Sequence, residues 1–430
     1  MLNWQRGYQL LLKLSFPAHL VISAFLRLTL ICYAQIHDAK STVPYTDIDY
    51  KVVTDGARFI LDGGTPFARH TYRYSPIMAY IQIPNIMLHP AFGKLIYSLC
   101  DLLVGQLIYA LVRLEAGEAT TIKKKAIISA CCWLYNPLTA VISTRGSGDS
   151  FTSLLVISCI YLLVKTKDQP SNYFAVFCAG LAHGFVIHLR LYPIFFSLAY
   201  YLCLSGGPIR NSIELIQRIV VPNKQQICLV LGTLIGFTVF TLTFYKIYGW
   251  QYLHESYFYH FVRKDVRHNF SLYFLMQYLN NSDAVEESTL FIKFLIMGPQ
   301  LLLVVYLSVS FAQLRQTLPF CVFSLAFVIV TYNSVVTSQY FVWYLAVLPL
   351  CLTKFQLMSC SRCVFLLVLW ICGQALWLLP AYLLEFKTWH TFNWIGLQGA
   401  VFFIINNYIL TQLITNYDCK SIEITNKKRL

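Results

Sequence analysis

The sequence predicts an all-α, polytopic membrane protein with about ten to twelve transmembrane helices. Of its 430 residues, 57% are hydrophobic and only 12% are charged, whereas a soluble domain carries about 25% charged residues. Apolar runs close to the roughly 20-residue length of a bilayer span recur along the chain. The basic residues behind the net charge of +14 fall between these runs, which favours positive-inside topology over nucleic-acid binding.

Twelve candidate spans can be placed, and the charges between them indicate the topology. With a cytosolic N-terminus, the cytosolic connections would carry the lysines at 123–125, Arg218 and Arg315, as the positive-inside rule requires. Two long segments, 36–91 and 248–289, then face the lumen. The predicted spans are 17–35, 92–113, 126–143, 150–165, 173–191, 192–204, 226–247, 290–312, 317–332, 339–352, 363–384 and 394–415.

Short signals agree with residence in an internal membrane. The first apolar run lacks a small-residue cleavage site, so we expect a retained signal anchor. The ending "NKKRL" matches a dilysine retrieval signal, with an ordinary basic tail as the alternative. Sequons at Asn269 and Asn280 are compatible with a lumenal second loop. The expected division is a cytosolic N-terminus (1–16), first helix (17–35), first lumenal loop (36–91), helices two to seven (92–247), second lumenal loop (248–289), C-terminal helices (290–415) and cytosolic tail (416–430).

Acidic residues concentrate directly after the first span, in "PYTDIDYKVVTDGARFILDGG". Thr46-x-x-Asp49 resembles a capping box and Gly63-Gly64 a helix stop, so a helix should begin at or near Asp47. Acidic residues in a first turn also simply complement the helix dipole. Carboxylates at i and i+2 diverge by about 200° on a helix. Asp47 and Asp49 therefore need not share a role.

Basic and aromatic residues follow in four islands at expected lumenal positions. A carboxylate can deprotonate an attacking hydroxyl while guanidinium groups neutralise a phosphate, as an anionic lipid-borne substrate requires. Charged groups beside apolar spans often mark function, although solvated loops of mixed charge would look similar. The islands are "FARHTYRYSP" (67–76), "STRGSGDS" (143–150), "HLRLYP" (188–193) and "YFYHFVRKDVRHNFS" (257–271).

Six ordered stretches resemble those of one enzyme family. They are "YTDIDYKVVTDGARF", "TYRYSP", "YNPLT" with "TRGSGDS", "HLRLYP", "YHFVRKDVRHNFS" and "TSQYFVWYLAVLP", and they resemble the GPI mannosyltransferase 1 (PIG-M) family of GT-C glycosyltransferases. The resemblance implies a GT-C fold with a helical lumenal first loop. It also implies transfer of the first, α1,4-linked mannose from dolichol-phosphate mannose to the glucosamine of a GPI precursor, on the lumenal face of the endoplasmic reticulum. A small stabilising membrane subunit is implied as partner.

The family's Asp-x-Asp falls on Asp47 and Asp49. Because a β-linked donor gives an α-linked product, the reaction inverts and needs one general base, for which we expect Asp47, with Asp49 orienting the acceptor or the base. Donor-phosphate and substrate contacts are expected from Tyr72, Arg73, Arg145, Arg190, Arg263, Arg267 and His268. With a monophosphate donor and many arginines, no cofactor is required, a divalent cation being the alternative. The fourteen cysteines, mostly inside apolar runs, are expected to be packing residues rather than zinc ligands.

Three rival functions remain at this stage, and one of them, a non-catalytic subunit of such a complex, is disfavoured because both Asp47 and Asp49 are present. A different dolichol-phosphate-sugar transferase, acting in assembly of the N-glycan precursor, would differ only in its acceptor. A transporter of lipid-linked substrates would place ionisable residues at mid-membrane and show two related halves. The charges instead gather at span ends and no repeat is visible, so the enzyme is favoured.

Overall fold

The computed structural model of the chain describes residues 12–114, 119–166, 169, 171–262, 269–279, 287–355 and 357–418. Within these ranges the regular structure is helical and no residue forms a strand, which confirms the all-α class. The α-helices are Phe16–Lys40, Ile48–Leu61, Pro76–Ile81, Pro84–Met87, Phe92–Arg113, Ala119–Leu134, Pro137–Arg145, Asp149–Lys165, Tyr173–Leu189, Ser197–Leu202, Ser212–Val220, Lys224–Leu253, Tyr259–Val262, Phe274–Leu279, Glu287–Phe311, Leu318–Thr331, Val342–Leu345, Leu348–Cys351, Cys360–Lys387 and Phe392–Thr415.

Five of the described helices are long and apolar enough to cross a membrane, which confirms a polytopic membrane protein. Counting one bent pair as a span raises this number to six. Other predicted spans fall on shorter apolar helices, namely Tyr173–Leu189, Tyr192–Leu202, Met297–Phe311 and Leu318–Thr331. The count of about ten to twelve spans stays a prediction. The five long helices are Phe16–Lys40, Phe92–Arg113, Lys224–Phe258, Cys360–Lys387 and Phe392–Thr415.

The predicted span over 126–143 is interrupted, because the chain bends between Leu134 and Pro137. The two helices on either side are bent by 48°. Pro137 cannot donate a backbone hydrogen bond, and it keeps the preceding residue extended. Asn136 accordingly has φ −66° and ψ 119° and caps the second helix by accepting from the Leu138 N–H. The break brings the end of the second helix, Arg145, to the candidate site.

The first helix runs to Lys40, five residues past the predicted end of the span, and a buried ion pair fixes it. Arg27 Nη2 lies 3.0 Å from Asp101 Oδ2, and both side chains are almost fully buried. Arg27 Nη1 also donates to the carbonyl of Leu134 over 3.0 Å. Removing one partner of such a pair would leave an uncompensated charge in the interior. Arg27 therefore links its own helix to Phe92–Arg113 through Asp101 and to Ala119–Leu134 through the Leu134 carbonyl.

Two helices approach closely because each carries a G-x-x-x-G pattern. Gly180 and Gly184 on Tyr173–Leu189 face Gly232 and Gly236 on Lys224–Leu253. A Cβ on Gly184 would overlap the carbonyl oxygen of Thr233, and one on Gly232 would overlap that of Phe177. Small residues at such positions let helix backbones meet in a membrane. This contact places the far ends of both helices beside the first loop.

Residues 41–91, here called the first loop, form a small packed unit of their own. Tyr50, Val52, Val53, Ala57, Phe67 and Tyr72 are buried there against Phe244, Tyr252 and Tyr257 of the long helix and the turn that follows it. Two apolar residues of the loop helix point away from this packing, since Ile48 and Phe59 keep 73% and 38% of their surface. The first loop is thus packed against the long helix and the turn that follows it, and this packing fixes where its residues lie.

Candidate active site

The helix Ile48–Leu61 begins at Asp47, which is its N-cap. Asp47 has extended φ and ψ of −64° and 144°, and its Oδ1 accepts from the Asp49 N–H over 3.1 Å. The expected capping box at Thr46 is wrong by one residue, because the Thr46 hydroxyl is occupied elsewhere. It donates to Asp38 and accepts from Lys94 Nζ. The expected stop is confirmed, since the N–H groups of Gly63 and Gly64 bond back to Ile60 and Phe59.

A turn from another part of the chain holds Asp47 in place. The Asp47 N–H donates to the carbonyl of Arg145 over 3.0 Å. Gly146, which ends the helix of Arg145, has φ +99°, a conformation that favours glycine. A Cβ at Gly146 would also overlap the ring of Tyr50. The "RGSGDS" island is therefore positioned against the start of the loop helix.

The electrostatic environment of Asp47 suits a general base. Burial raises its pKa above the ordinary aspartate value, and the negative charge of Asp49 raises it further. The guanidinium of Arg145 opposes this rise, while the more distant Asp149 adds to it. No described residue donates a hydrogen bond to Oδ2 of Asp47. One oxygen thus caps the helix and the other is left to take a proton.

Asp49 faces a tyrosine and an arginine. The charge of the Asp49 carboxylate acts on the Tyr74 hydroxyl, and the Arg190 guanidinium carbon lies 5.4 Å from the centre of the Tyr74 ring. Burial and the charge of Asp49 hold the pKa of Tyr74 well above its usual range, with Arg190 opposing. The Tyr74 hydroxyl is therefore protonated at neutral pH. Arg190 lies behind it as a fixed positive charge.

Asp149 is the buried centre of the same cluster. Its Oδ1 accepts from Trp343 Nε1 over 3.1 Å and lies 3.3 Å from Arg190 Nη2, and its Oδ2 accepts from the Ser147 hydroxyl. Trp343 is itself held between two rings, stacked on Tyr192 at 3.7 Å and on Tyr340 at 4.5 Å. Three distant stretches of sequence meet at this one carboxylate.

Asp47, Asp49, Tyr74, Arg145, Asp149, Arg190 and Trp343 are called the carboxylate–arginine cluster below. It unites four residues that the sequence analysis put forward, namely Asp47, Asp49, Arg145 and Arg190. Asp149, Tyr74 and Trp343 join the cluster without having been predicted as site residues from the sequence. A signal for Asp149 was present, since a lone acid begins a helix that is otherwise uncharged until Lys165. Nothing local singles out Trp343 among eight tryptophans.

Two expected site residues lie outside the cluster. Tyr72 is fully buried and donates to the Ser75 carbonyl over 2.8 Å, and its ring packs against Gly56. Arg73 forms an ion pair with Glu255, and its guanidinium carbon lies 4.1 Å from the centre of the Tyr259 ring. In this structure both residues serve contacts within the protein.

Three more expected contacts, Arg263, Arg267 and His268, lie outside the described residues, as does the sequon at Asn280. The other sequon is placed clearly. Asn269 is fully buried, and its Nδ2 donates to the Ser334 carbonyl over 2.9 Å. Its Oδ1 accepts from the N–H groups of Ser271 and Val336. The Asn269 amide is thus a structural link that a glycan could not reach in the folded protein.

A divalent cation would find few ligands here. Among the described residues, no three His, Cys, Asp or Glu side chains lie close enough together to hold a metal ion. Asp47 and Asp49 could offer carboxylate oxygens, but one Asp47 oxygen already accepts the Asp49 N–H. Arginine side chains supply the positive charge of the cluster. The expectation that no metal is needed stays a prediction.

Comparison with known proteins identifies the family of the chain. A family model described as Mannosyltransferase (PIG-M) matches residues 142–414, well over half of the chain. The chain belongs to the PIG-M mannosyltransferase family. The matched range includes Arg145, Asp149, Arg190 and Trp343 of the cluster. The resemblance drawn from the six sequence stretches is therefore confirmed, and the chain is a glycosyltransferase.

Relatives of this mannosyltransferase are similar over nearly their full lengths. The GPI alpha-1,4-mannosyltransferase I catalytic subunit of Danio rerio is 39% identical over 395 residues, covering 92% of this chain and 95% of its own. GPI mannosyltransferase 1 of Dictyostelium discoideum is 33% identical over 417 residues, covering 93% and 91%. The Schizosaccharomyces pombe protein of the same name is 37% identical over 360 residues, covering 84% and 91%. The similarity thus extends before residue 142, towards the aspartate pair.

Proposed function

We propose that this mannosyltransferase moves the first mannose, in α1,4 linkage, from dolichol-phosphate mannose to the glucosamine of a glucosaminyl-phosphatidylinositol lipid in GPI-anchor biosynthesis. The observation that carries the proposal is the geometry of the carboxylate–arginine cluster. A partly buried carboxylate pair at a helix start faces two guanidinium groups from other helices. The name of the zebrafish relative supports the linkage.

The proposed reaction is one displacement at the anomeric carbon. The 4-hydroxyl oxygen of the acceptor glucosamine attacks C1 of mannose from the face opposite the phosphate. Its proton passes to Oδ2 of Asp47 as the new C–O bond forms. The bond from C1 to the phosphate oxygen breaks, and its electron pair leaves with dolichol phosphate. A positioned base of this kind contributes about 10²–10⁴ in rate.

Asp49 orients this machinery in our proposal. Its N–H fixes one oxygen of Asp47, and its carboxylate carries the negative charge that acts on Tyr74. A carboxylate beside the base can accept a hydrogen bond from an acceptor hydroxyl and align it for attack.

The leaving phosphate needs positive charge rather than a proton, because a lipid phosphate is already a weak base. Arg145 is the best placed group to bind the phosphate. It lies near enough to Asp47 to act on it electrostatically, and no ion-pair partner for it occurs among the described residues. Its buried Nε also lacks a hydrogen bond in the described part of the chain. Arg190 adds charge from the side of Asp149. Arg263, Arg267 and His268 stay candidates for the same phosphate.

We infer further that the protein is active in the endoplasmic reticulum membrane, with the cluster on the lumenal side and with a small membrane subunit as partner. The word "subunit" in the zebrafish name supports a complex. An epitope placed after Leu430 should be digested by protease in sealed microsomes, and an epitope within 36–91 should be protected. The opposite pattern would place the cluster on the cytosolic face.

The deciding experiment is mannose transfer in microsomes from cells that lack this activity. Wild-type protein and Asp47→Asn, at equal levels and with the partner subunit, receive labelled dolichol-phosphate mannose. We expect labelled glucosaminyl-phosphatidylinositol product from the wild type only. Transfer by wild-type protein to an N-glycan precursor instead would support the rival transferase, and no transfer to either acceptor would favour the transporter.

A further inference from the structure

An ion pair outside the cluster joins the first loop to the segment that follows the long helix. Arg73 of the first loop pairs with Glu255, and their side chains keep only 17% and 19% of their surface. The guanidinium of Arg73 also packs on the ring of Tyr259. Residues 254–260 are called the clamp segment below. They follow a kink at Gly249, where φ is +63°, a backbone conformation that favours glycine.

The clamp segment contacts Arg73 and Tyr74 of the first loop directly, and it contacts Ser75 through His188. The carbonyl of Tyr74 accepts from the Ser256 hydroxyl over 2.9 Å, and the carbonyl of Arg73 lies 3.3 Å from His260 Nε2. The Ser75 hydroxyl lies 2.8 Å from His188 Nε2, and His188 Nδ1 lies 3.0 Å from the hydroxyl of Tyr257, a clamp-segment residue. Residues 73–75 are thus held by both backbone and side-chain bonds.

The middle residue of the three belongs to the cluster. The Arg190 guanidinium carbon lies 5.4 Å from the centre of the Tyr74 ring, and the charge of Asp49 acts on the Tyr74 hydroxyl. A displacement of Arg73 would therefore move the adjacent Tyr74 relative to both Arg190 and Asp49. Active-site geometry of this kind is sensitive to shifts of about 1 Å.

We propose that Arg73 and Glu255 are positioning residues, which hold Tyr74 against Asp49, and that Arg73 is not a ligand of the donor phosphate. This proposal rests on the proposed function. It replaces the expectation drawn from sequence, in which Arg73 neutralised the phosphate. In the structure its charge is neutralised by Glu255, and one face of its guanidinium is covered by Tyr259.

The two roles predict opposite effects of Glu255→Gln. If Arg73 bound the donor phosphate, loss of the competing carboxylate would free it, and the donor KM would fall or stay the same. If Arg73 positions Tyr74, the neutral glutamine removes the ion pair with Arg73, Tyr74 is held less firmly, and kcat falls while the donor KM changes little. An effect on kcat alone indicates an interaction that matters in the transition state.

The experiment compares Glu255→Gln, Arg73→Gln and the charge swap Arg73→Glu with Glu255→Arg in the full chain with its partner. We expect each single variant to lower kcat by about tenfold, the loss typical of one charge-assisted bond. The swap should recover most of that loss, because it restores the ion pair with reversed polarity. The matched control is Arg69→Gln, which breaks the exposed Arg69–Asp55 pair of the same loop and should stay near wild type.

A second measurement does not depend on activity. Amide hydrogen exchange of a peptide covering 69–76 should be faster in Glu255→Gln than in wild type, and unchanged in Arg69→Gln. If the wild type transfers no mannose, the proposed function fails, and faster exchange still supports the clamp. Wild-type kcat with a lowered donor KM in Glu255→Gln, or unchanged exchange at 69–76, would overturn the positioning role.

Discussion

Trp343 lies 194 positions after Asp149 in the chain, yet its indole Nε1 donates to Asp149 Oδ1 over 3.1 Å. The same oxygen faces the guanidinium of Arg190. A fully buried carboxylate is stable only when paired and hydrogen-bonded, and Trp343 and Arg190 supply these contacts to Asp149. The charge of Asp149 in turn fixes Arg190 beside Tyr74 and Asp49. The carboxylate–arginine cluster is therefore ordered by contacts that start at the buried Asp149.

The aspartate pair should respond unequally to neutralisation. We expect Asp47→Asn to lower kcat by about 10²–10⁴, since it removes the base while asparagine can still cap the helix. Asp49→Asn should cost less, because it removes an orienting group. Asp55→Asn, in an exposed pair on the same helix, is the control. Labelled mannose transfer measures all three, and near-normal turnover in Asp47→Asn with loss in Asp49→Asn would reverse the two roles.

The pH profile of kcat/KM should report the raised pKa of Asp47. Because the base works deprotonated, activity should fall on the acid side at a pH above the ordinary aspartate pKa. Asp49→Asn should move this limb to lower pH, since the charge of Asp49 raises the Asp47 pKa. Arg145→Gln should move it to higher pH, since Arg145 lowers that pKa. An acid limb that moves in neither variant would assign it to another group.

The two arginines of the cluster should differ in what they support. Arg145→Gln should raise the donor KM by the worth of a charge-assisted bond, about 1.5–3 kcal/mol, with little effect on folding. Arg190→Gln should also destabilise the fold by about 3 kcal/mol or more, because it leaves Asp149 without its counter-charge. Donor kinetics and thermal melting in detergent separate the two effects. Normal donor kinetics in Arg145→Gln would remove it from the phosphate site.

Chelation should leave activity intact. The phosphate would be neutralised by guanidinium groups, so transfer should proceed in EDTA at the wild-type rate. The control is a manganese-dependent nucleotide-sugar transferase assayed in the same buffer, which EDTA should stop. Loss of mannose transfer in EDTA, with recovery on adding magnesium or manganese, would show that Asp47 and Asp49 serve a metal instead.

The glycine contact between Tyr173–Leu189 and Lys224–Leu253 should be intolerant of a single methyl group. Gly184→Ala should lower stability by about 1–3 kcal/mol, because the new Cβ meets backbone that can give way only by separating the helices. Gly298→Ala is the matched control, since its Cβ would find no atom within 4 Å. Thermal melting in detergent compares them. Equal melting temperatures would show that the helices separate at no cost.

Sequence reasoning succeeded where the controlling interactions are local. The helix start was predicted to within one residue, since the cap joins Asp47 to Asp49, and the stop was predicted correctly, since Gly63 and Gly64 bond back over three and five residues. The apolar runs likewise predict helices without knowledge of their neighbours. Pro137 by itself also predicts a break in the helix, but a hydropathy window averages over the residues on both sides of it and hides the break.

The sequence by itself determined the helical membrane class, the aspartate pair at a helix start and the family. The tertiary structure alone decided which charges meet. Arg73 and Arg190 look alike in sequence, yet one pairs with Glu255 in the clamp segment and the other with Asp149 in the cluster. The reason is physical: ion pairs act over a few ångströms of space, and helix packing, including the glycine contact and the bend before Pro137, sets those distances between residues far apart in the chain.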